Sequence, residues 1–380
     1  MSDYRQAIAE CLDEARRQSG YGDFALECCE EAVRLADRHR DLDLGFEARL
    51  ELIELSCFSG RPKDMLTAFA WCLAQVDQHP ARFDEAHILW TYKWAIEEAV
   101  AFHEIEREQI EEMIQDLSRR FEQVGAGSRS EYHLRCKVAT VLGDREAAEH
   151  FERLWQRAPH DWLSDCPACD ADTHAHVLFW LERNAEAYRA AAPIFHGTLR
   201  CAEVPHRTHA RVLLPLFMEG RFKEALQHHR LGYPLLQNGR KLSARLADHL
   251  LFLTLTSNYD QALALVSKHL PNARNFGSPY EGFIFEYATV FLLDELIQGG
   301  EKQVRLCLPE SLFGQAENDV RDVKNLCESL RKRCRSVASH FAMRNSNESP
   351  TSWMTSIDRL HREVIQMPIS KSSDCGSGDS

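Results

Sequence analysis

Apolar residues recur at intervals of three and four along most of the chain, as in Ala7, Cys11 and Ala15 or Leu50, Ile53 and Leu55. That spacing gathers them into one stripe of an amphipathic helix. Period-two alternation is nearly absent, so strands are not expected. Gly, Pro and Asn interrupt the stripes at short intervals, where one helix can end in a left-handed cap and the next can return antiparallel. The pattern predicts paired helices over 3–40, 43–79, 84–124, 129–157, 171–197, 203–238, 243–270 and 279–299. A long charged helix is expected from about Gln315 to Ala342, where Arg331-Lys332-Arg333-Cys334-Arg335 gives it a basic end, and a short one at Trp353–Val364. The Ser-, Asn-, Asp- and Gly-rich remainder reads as disorder, most clearly from Met367 to Ser380. As domains this gives helical repeats over 1–159, further repeats over 160–310, a capping helix over 311–345 and a mostly disordered tail over 346–380.

The breaks share a phrase. Gly22-Asp23-Phe24, Gly60-Arg61-Pro62, Gly143-Asp144-Arg145, Gly220-Arg221-Phe222 and Ser257-Asn258-Tyr259 each precede a helix. Three continue alike, with Ala147-Ala148, Glu224-Ala225-Leu226 and Gln261-Ala262-Leu263, and Pro80, Pro159, Pro234 and Pro271 close second helices. This resembles the second half of the tetratricopeptide repeat, although the first-half signature is poor throughout. The fold expected is therefore all-α, a tetratricopeptide-like solenoid of helical hairpins whose stacked neighbours form a groove. Longer phrases extend the resemblance: Phe69-Ala70-Trp71-Cys72-Leu73-Ala74, Leu89-Trp90-Thr91-Tyr92-Lys93-Trp94, Leu163-Ser164-Asp165-Cys166-Pro167-Ala168-Cys169-Asp170, Cys201-Ala202-Glu203 and His228-His229-Arg230-Leu231-Gly232-Tyr233. From about Gly22 to Pro271 the chain is similar to a family of bacterial, actinomycete-type proteins described as tetratricopeptide-like. That family has no assigned activity, so the resemblance implies a fold and draws attention to the cysteine region without supplying a mechanism.

Composition narrows the setting. A formal net charge of -13 argues against a nucleic-acid binder, which needs a basic face to displace counterions. No apolar run approaches the length of a membrane span, and Met1-Ser2-Asp3-Tyr4-Arg5 does not read as a secretory signal, so a cytoplasmic protein is expected. Thirteen irregularly spaced cysteines then read as reduced thiols, and Cys28, Cys57, Cys72 and Cys136 as small hydrophobes on helix stripes.

Cys166-Pro167-Ala168-Cys169 is the one Cys-x-x-Cys pair. Three readings stand side by side. The pair is a set of unligated thiols in a tight helix-linking loop, half of a structural zinc site, or a redox dithiol. Two thiolates at this spacing chelate one ion, and zinc needs two further ligands. The preferred set is Cys166, Cys169, Cys201 and His229, with His174, His176, His206 and His228 as alternatives. The redox reading lacks a βαβ setting and has Asp165 and Asp170 beside the thiols. Asp172, His174 and His176 could ligate as a loop but not as a helix, where i and i+2 diverge. Phosphate-binding loops and a His-Glu-x-x-His motif are absent.

The remaining candidate is a surface. Trp90 and Trp94, at i and i+4, read as a core stripe, leaving Tyr92, Lys93 and Arg135 to contact an acidic peptide or a chain terminus in the groove. The function expected is a helical-repeat scaffold for a protein or peptide partner, braced by structural zinc if the cysteines ligate. The competing class is a thiol-redox or metal-dependent enzyme using Cys166 and Cys169.

Overall fold

The protein is described by a computed structural model covering residues 3–18, 21–236, 243–275, 277–314 and 316–369. Among them the chain is helical throughout, apart from one short β-hairpin. The first helices are α1 (Asp3–Arg17), α2 (Asp23–His39), α3 (Leu42–Phe58), α4 (Pro62–Gln78), α5 (Ala86–Ala99), α6 (Arg107–Gln123), α7 (Arg129–Leu142) and α8 (Arg145–Arg157). Then come α9 (Pro167–Trp180), α10 (Asn184–Phe195), α11 (His206–Arg211), α12 (Leu213–Met218), α13 (Phe222–Leu236), α14 (Ser243–Leu255), α15 (Tyr259–Asn275) and α16 (Pro279–Gln298). The expected pairing holds up to α15, whereas 279–299 is one unbroken helix. One first helix is divided between α11 and α12. Pro215 lacks the N–H that would bond the carbonyl of Arg211, and the ladder breaks there. Pro234 and Pro271 lie inside α13 and α15 rather than beyond their ends.

Four of the five break phrases place a left-handed residue at the turn: Gly60, Gly143 and Gly220 at φ 71°, 72° and 73°, and Ser257 at 57°. Gly22 instead precedes α2 in extended conformation. Gly143 has a second constraint, because a Cβ there would approach Ser349 to 2.3 Å. Helices from α1 to α16 pack on their neighbours in sequence except at α10–α11, and the first helices of successive pairs also touch: α1 on α3, α3 on α5, α5 on α7, α7 on α9, α9 on α11, α11 on α14 and α14 on α16. One large buried cluster runs from Ile8 to Leu163 and another from Ala210 to Leu360, with two small ones between them. No helix of the described residues is long and apolar enough to cross a membrane.

Beyond α16 the chain forms β1 (Gln303–Arg305), a single helical turn α17 (Glu310–Phe313) and β2 (Val320–Asp322), with Val304 opposite Arg321 in an antiparallel pair. The long helix therefore starts later than its charge pattern suggested, as α18 (Val323–Asn345). Its apolar face, including Leu330, Cys334 and Phe341, is buried, and its basic stretch is pinned by Arg331 to Asp294 and by Arg333 to Glu286. The short helix expected at Trp353–Val364 is present, begins earlier, and is followed by more order than its composition suggested. Helix α19 (Ser349–Arg359) and a 3-10 turn lead into residues 364–369, which dock at the α14–α15 turn. Ile365 N–H donates to the Leu255 carbonyl (2.8 Å), and Asn258 bonds both the Met367 carbonyl (3.0 Å) and the Ile369 N–H (2.8 Å). The Leu255 carbonyl is one of those left open where α14 ends, and the Asn258 side-chain amide supplies the other two partners. Residues 370–380 lie outside the described residues.

A three-cysteine cluster beside an aromatic cavity

Pro167 occupies the first turn of α9, where a missing N–H costs nothing, and Cys166 is the N-cap, with its sulfur 3.5 Å from the Cys169 N–H. The Cys-x-x-Cys segment is thus a helix start rather than a linking loop, and its i, i+3 spacing puts both sulfurs on one face. Cys201 arrives from the turn between α10 and α11, where its N–H bonds the Val204 carbonyl at 3.1 Å. Ala168, Ile194 and Val204 pack together with Cys169 and Cys201 alongside. The three sulfurs lie within 4.8 Å of one another, and those of Cys169 and Cys201 are 3.3 Å apart. That is well beyond a disulfide's roughly 2.05 Å. It is near the sulfur–sulfur edge of about 3.8 Å implied by Zn–S bonds of about 2.3 Å in a tetrahedron. Burial pushes the Cys169 thiol far above its ordinary range, and the nearby Arg207 guanidinium offsets this only in part.

The fourth expected ligand is elsewhere. His229 is buried between α13 and α14, with Nδ1 3.0 Å from Nδ1 of His249. His228 pairs with His209 (2.7 Å) and His174 with Glu152 (2.8 Å). Asp172 and His174 sit on continuous helix, and Asp172 is taken by Arg211, Arg207 and Thr208. Among the described residues, no further Cys, His, Asp or Glu atom joins the three sulfurs. A second group, Asp294, Asp358 and His361, is crossed by Arg331, while His361 also pairs with Glu295, so it reads as an ion-pair network fastening α19 to α16.

Nor does the segment before Cys166 rely on the cysteines for support. Lys93, 3% exposed, donates to the Leu163 carbonyl and to Asp165, each at 2.7 Å, with its ammonium 3.5 Å from the Trp90 ring centroid. Ser130 donates to the same carbonyl (2.7 Å), and Asp161 accepts from the Gly127 N–H (2.7 Å). Arg129 holds the Trp155 and Ala158 carbonyls, both at 2.7 Å, and pairs with Asp170. Burial opposes ionisation of Asp165, but neighbouring His133 and the contacting Lys93 hold its carboxyl well below the usual range.

The expected groove contacts are therefore redistributed. Lys93 is internal, and Tyr92, 2% exposed, is buried with its hydroxyl on Asp116 (2.9 Å). Arg135 is engaged by Glu111 and Glu131 on another face. Trp90 and Trp94 pack half-buried against the core, as expected, and also line a cavity of about 440 Å³. Its wall takes Phe58 from α3, Glu97 from α5, Lys137 from α7, His176 from α9, Arg207 and Arg211 from α11, Arg245 from α14 and Tyr280 from α16, together with all three cysteines. The charges are mixed, not basic: Lys137 pairs with Glu97, Arg207 with Glu203 and Arg245 with Asp248. Burial, aided by the arginines, keeps His176 neutral, with its pKa far below the ordinary value. The sequence singled out the cysteines, the two tryptophans and His176 but not their meeting on one wall, since the residues come from seven helices and the turn before α11 with no common spacing. No family model matches the chain, and no curated protein matches it as a relative.

Proposed function

We propose that the chain is a tetratricopeptide-like helical-repeat scaffold that binds a peptide segment of a partner protein in the cavity lined by its first helices. The reading rests on one observation. Trp90, Trp94 and Tyr280 line a cavity of about 440 Å³ together with half-buried cations and carboxylates. Aromatic side chains and arginines are those most often responsible for binding energy at such surfaces. A wall bearing both charges suits a peptide, whose backbone and side chains present donors and acceptors together, better than the acidic peptide or chain terminus expected from Tyr92, Lys93 and Arg135. If the three thiols hold zinc, the ion joins the start of α9 to the turn before α11 and stiffens one side of that cavity.

A thiol-redox enzyme is the alternative. It is disfavoured because Asp165 and Asp170 flank the pair in sequence and, among the described residues, no strand precedes it as in the βαβ setting of dithiol sites. The test is a peptide array probed with the full chain, followed by titration of the binders against tryptophan emission. Binding peptides should change the emission, and Trp94→Ala should weaken their affinity at least tenfold without altering the helical circular dichroism. Peptide binding indifferent to Trp94→Ala, or none at all, would count against this reading.

A further inference from the structure

We infer that Cys166, Cys169 and Cys201 hold a single zinc ion whose fourth coordination position opens into the cavity and is filled by a donor from the cavity's ligand. The inference deepens the scaffold reading and rests on it for the nature of that ligand.

Three observations carry it. The sulfurs are already gathered within 4.8 Å, although they come from two separate stretches of chain. No fourth ligand from the described residues accompanies them, so a tetrahedral ion would be one donor short. All three cysteines also line the cavity, so the missing donor can approach from the space where the peptide is proposed to bind. Three protein ligands with an open position distinguish ligand-accepting zinc sites from closed structural ones. Soft thiolate donors favour zinc over the hard cations. On binding, the three thiols release their protons, and three thiolates with Zn²⁺ leave one net negative charge. The ligand class follows: a peptide presenting a thiolate, an imidazole or a carboxylate.

The experiment uses the full-length reduced chain loaded anaerobically with one equivalent of Co²⁺, a coloured stand-in for zinc, with imidazole as the probe donor. The expected result is one Co²⁺ per chain with thiolate charge-transfer absorption, and visible bands that shift saturably as imidazole is added. Cys201→Ser should weaken Co²⁺ binding by more than about 100-fold, since even outer-shell substitutions cost 10–100-fold. Circular dichroism on that variant separates lost ligation from lost folding, and Cys166→Ser, at an exposed position, repeats the measurement where packing is not at stake. Failure to retain stoichiometric Co²⁺ or Zn²⁺ overturns the site. Retained Co²⁺ with bands indifferent to imidazole overturns the open position. Trp94→Ala distinguishes the two readings, because it should impair peptide binding while leaving Co²⁺ in place. Peptide binding without metal sinks only the zinc site, and a responsive metal without peptide binding sinks only the scaffold.

Discussion

At the scale of single residues, Lys93 shows how little a side chain's identity says about its task. A lysine on a helix beside tryptophans reads as a groove contact. Here it is a buried cation that satisfies the Leu163 carbonyl and Asp165 together. Removing one partner of a buried pair strands the other charge, which typically costs 3–5 kcal/mol. Lys93→Met should therefore destabilise the chain by roughly 3–5 kcal/mol, measured by urea unfolding at neutral pH. A loss below about 1 kcal/mol would show that the segment before Cys166 is held in some other way. The sequence misassigned the α5 residues because that helix packs on α3, α4, α6 and α7. A helix with neighbours on several sides has no single apolar stripe from which to infer its open face.

At the scale of elements, α11, α13 and α14 are joined through two histidine pairs, His209–His228 and His229–His249. In each, one neutral imidazole donates and the other accepts, so protonating the acceptor breaks the bond. Burial lowers His209, His228 and His229 to about 4, with His228 and His206 adding to the effect on His209. The folded state thus refuses protons that the unfolded state accepts below about pH 6.5. Stability should be fully present above that pH and be lost as pH falls toward 4, with a slope of up to about 1.4 kcal/mol per pH unit for each histidine. His361 acts in the opposite sense. Neighbouring Asp294 and hydrogen-bonded Glu295 raise its pKa, so its contribution is present below about pH 6.5 and fades as pH climbs past its raised value. Thermal melts between pH 4 and 8 should show the acid loss, and His228→Gln should flatten it. An unchanged slope would remove the pair as its source.

At the scale of the molecule, α18 ties distant parts of the chain together. Arg344 donates to the carbonyls of Val100 (3.0 Å), Phe102 (3.1 Å) and Ile105 (3.3 Å), more than 230 positions away. Asn345 and Asn347 reach the carbonyls that end α7, and Tyr280 N–H meets the Ala101 carbonyl at 3.2 Å. Carbonyls of the turn that follows α5 thus find their partners on α16 and α18. Arg344→Met should cost at least about 2 kcal/mol, the scale of buried charge-assisted hydrogen bonds, and raise amide exchange around residues 100–105. Arg335→Met, on the exposed side of the same helix, should stay within about 0.5 kcal/mol. Equal effects of the two substitutions would argue that α18 contributes only through its apolar face.

What the sequence determined by itself was short-range. Periodicity of three and four specified helices, and Gly60, Gly143, Gly220 and Ser257 marked turns whose φ is positive. Both depend on residues a few positions apart, and so does the closeness of Cys166 to Cys169. The meeting of those two with Cys201, 32 positions beyond Cys169, could be suggested from residue type, but the rejection of His229 could not. Only the tertiary structure decided which face of α5 opens, which histidines pair and where residues 364–369 dock. The polar atoms that fix these choices lie on elements far apart in the chain, and burial forces each to find a partner wherever the packing brings one.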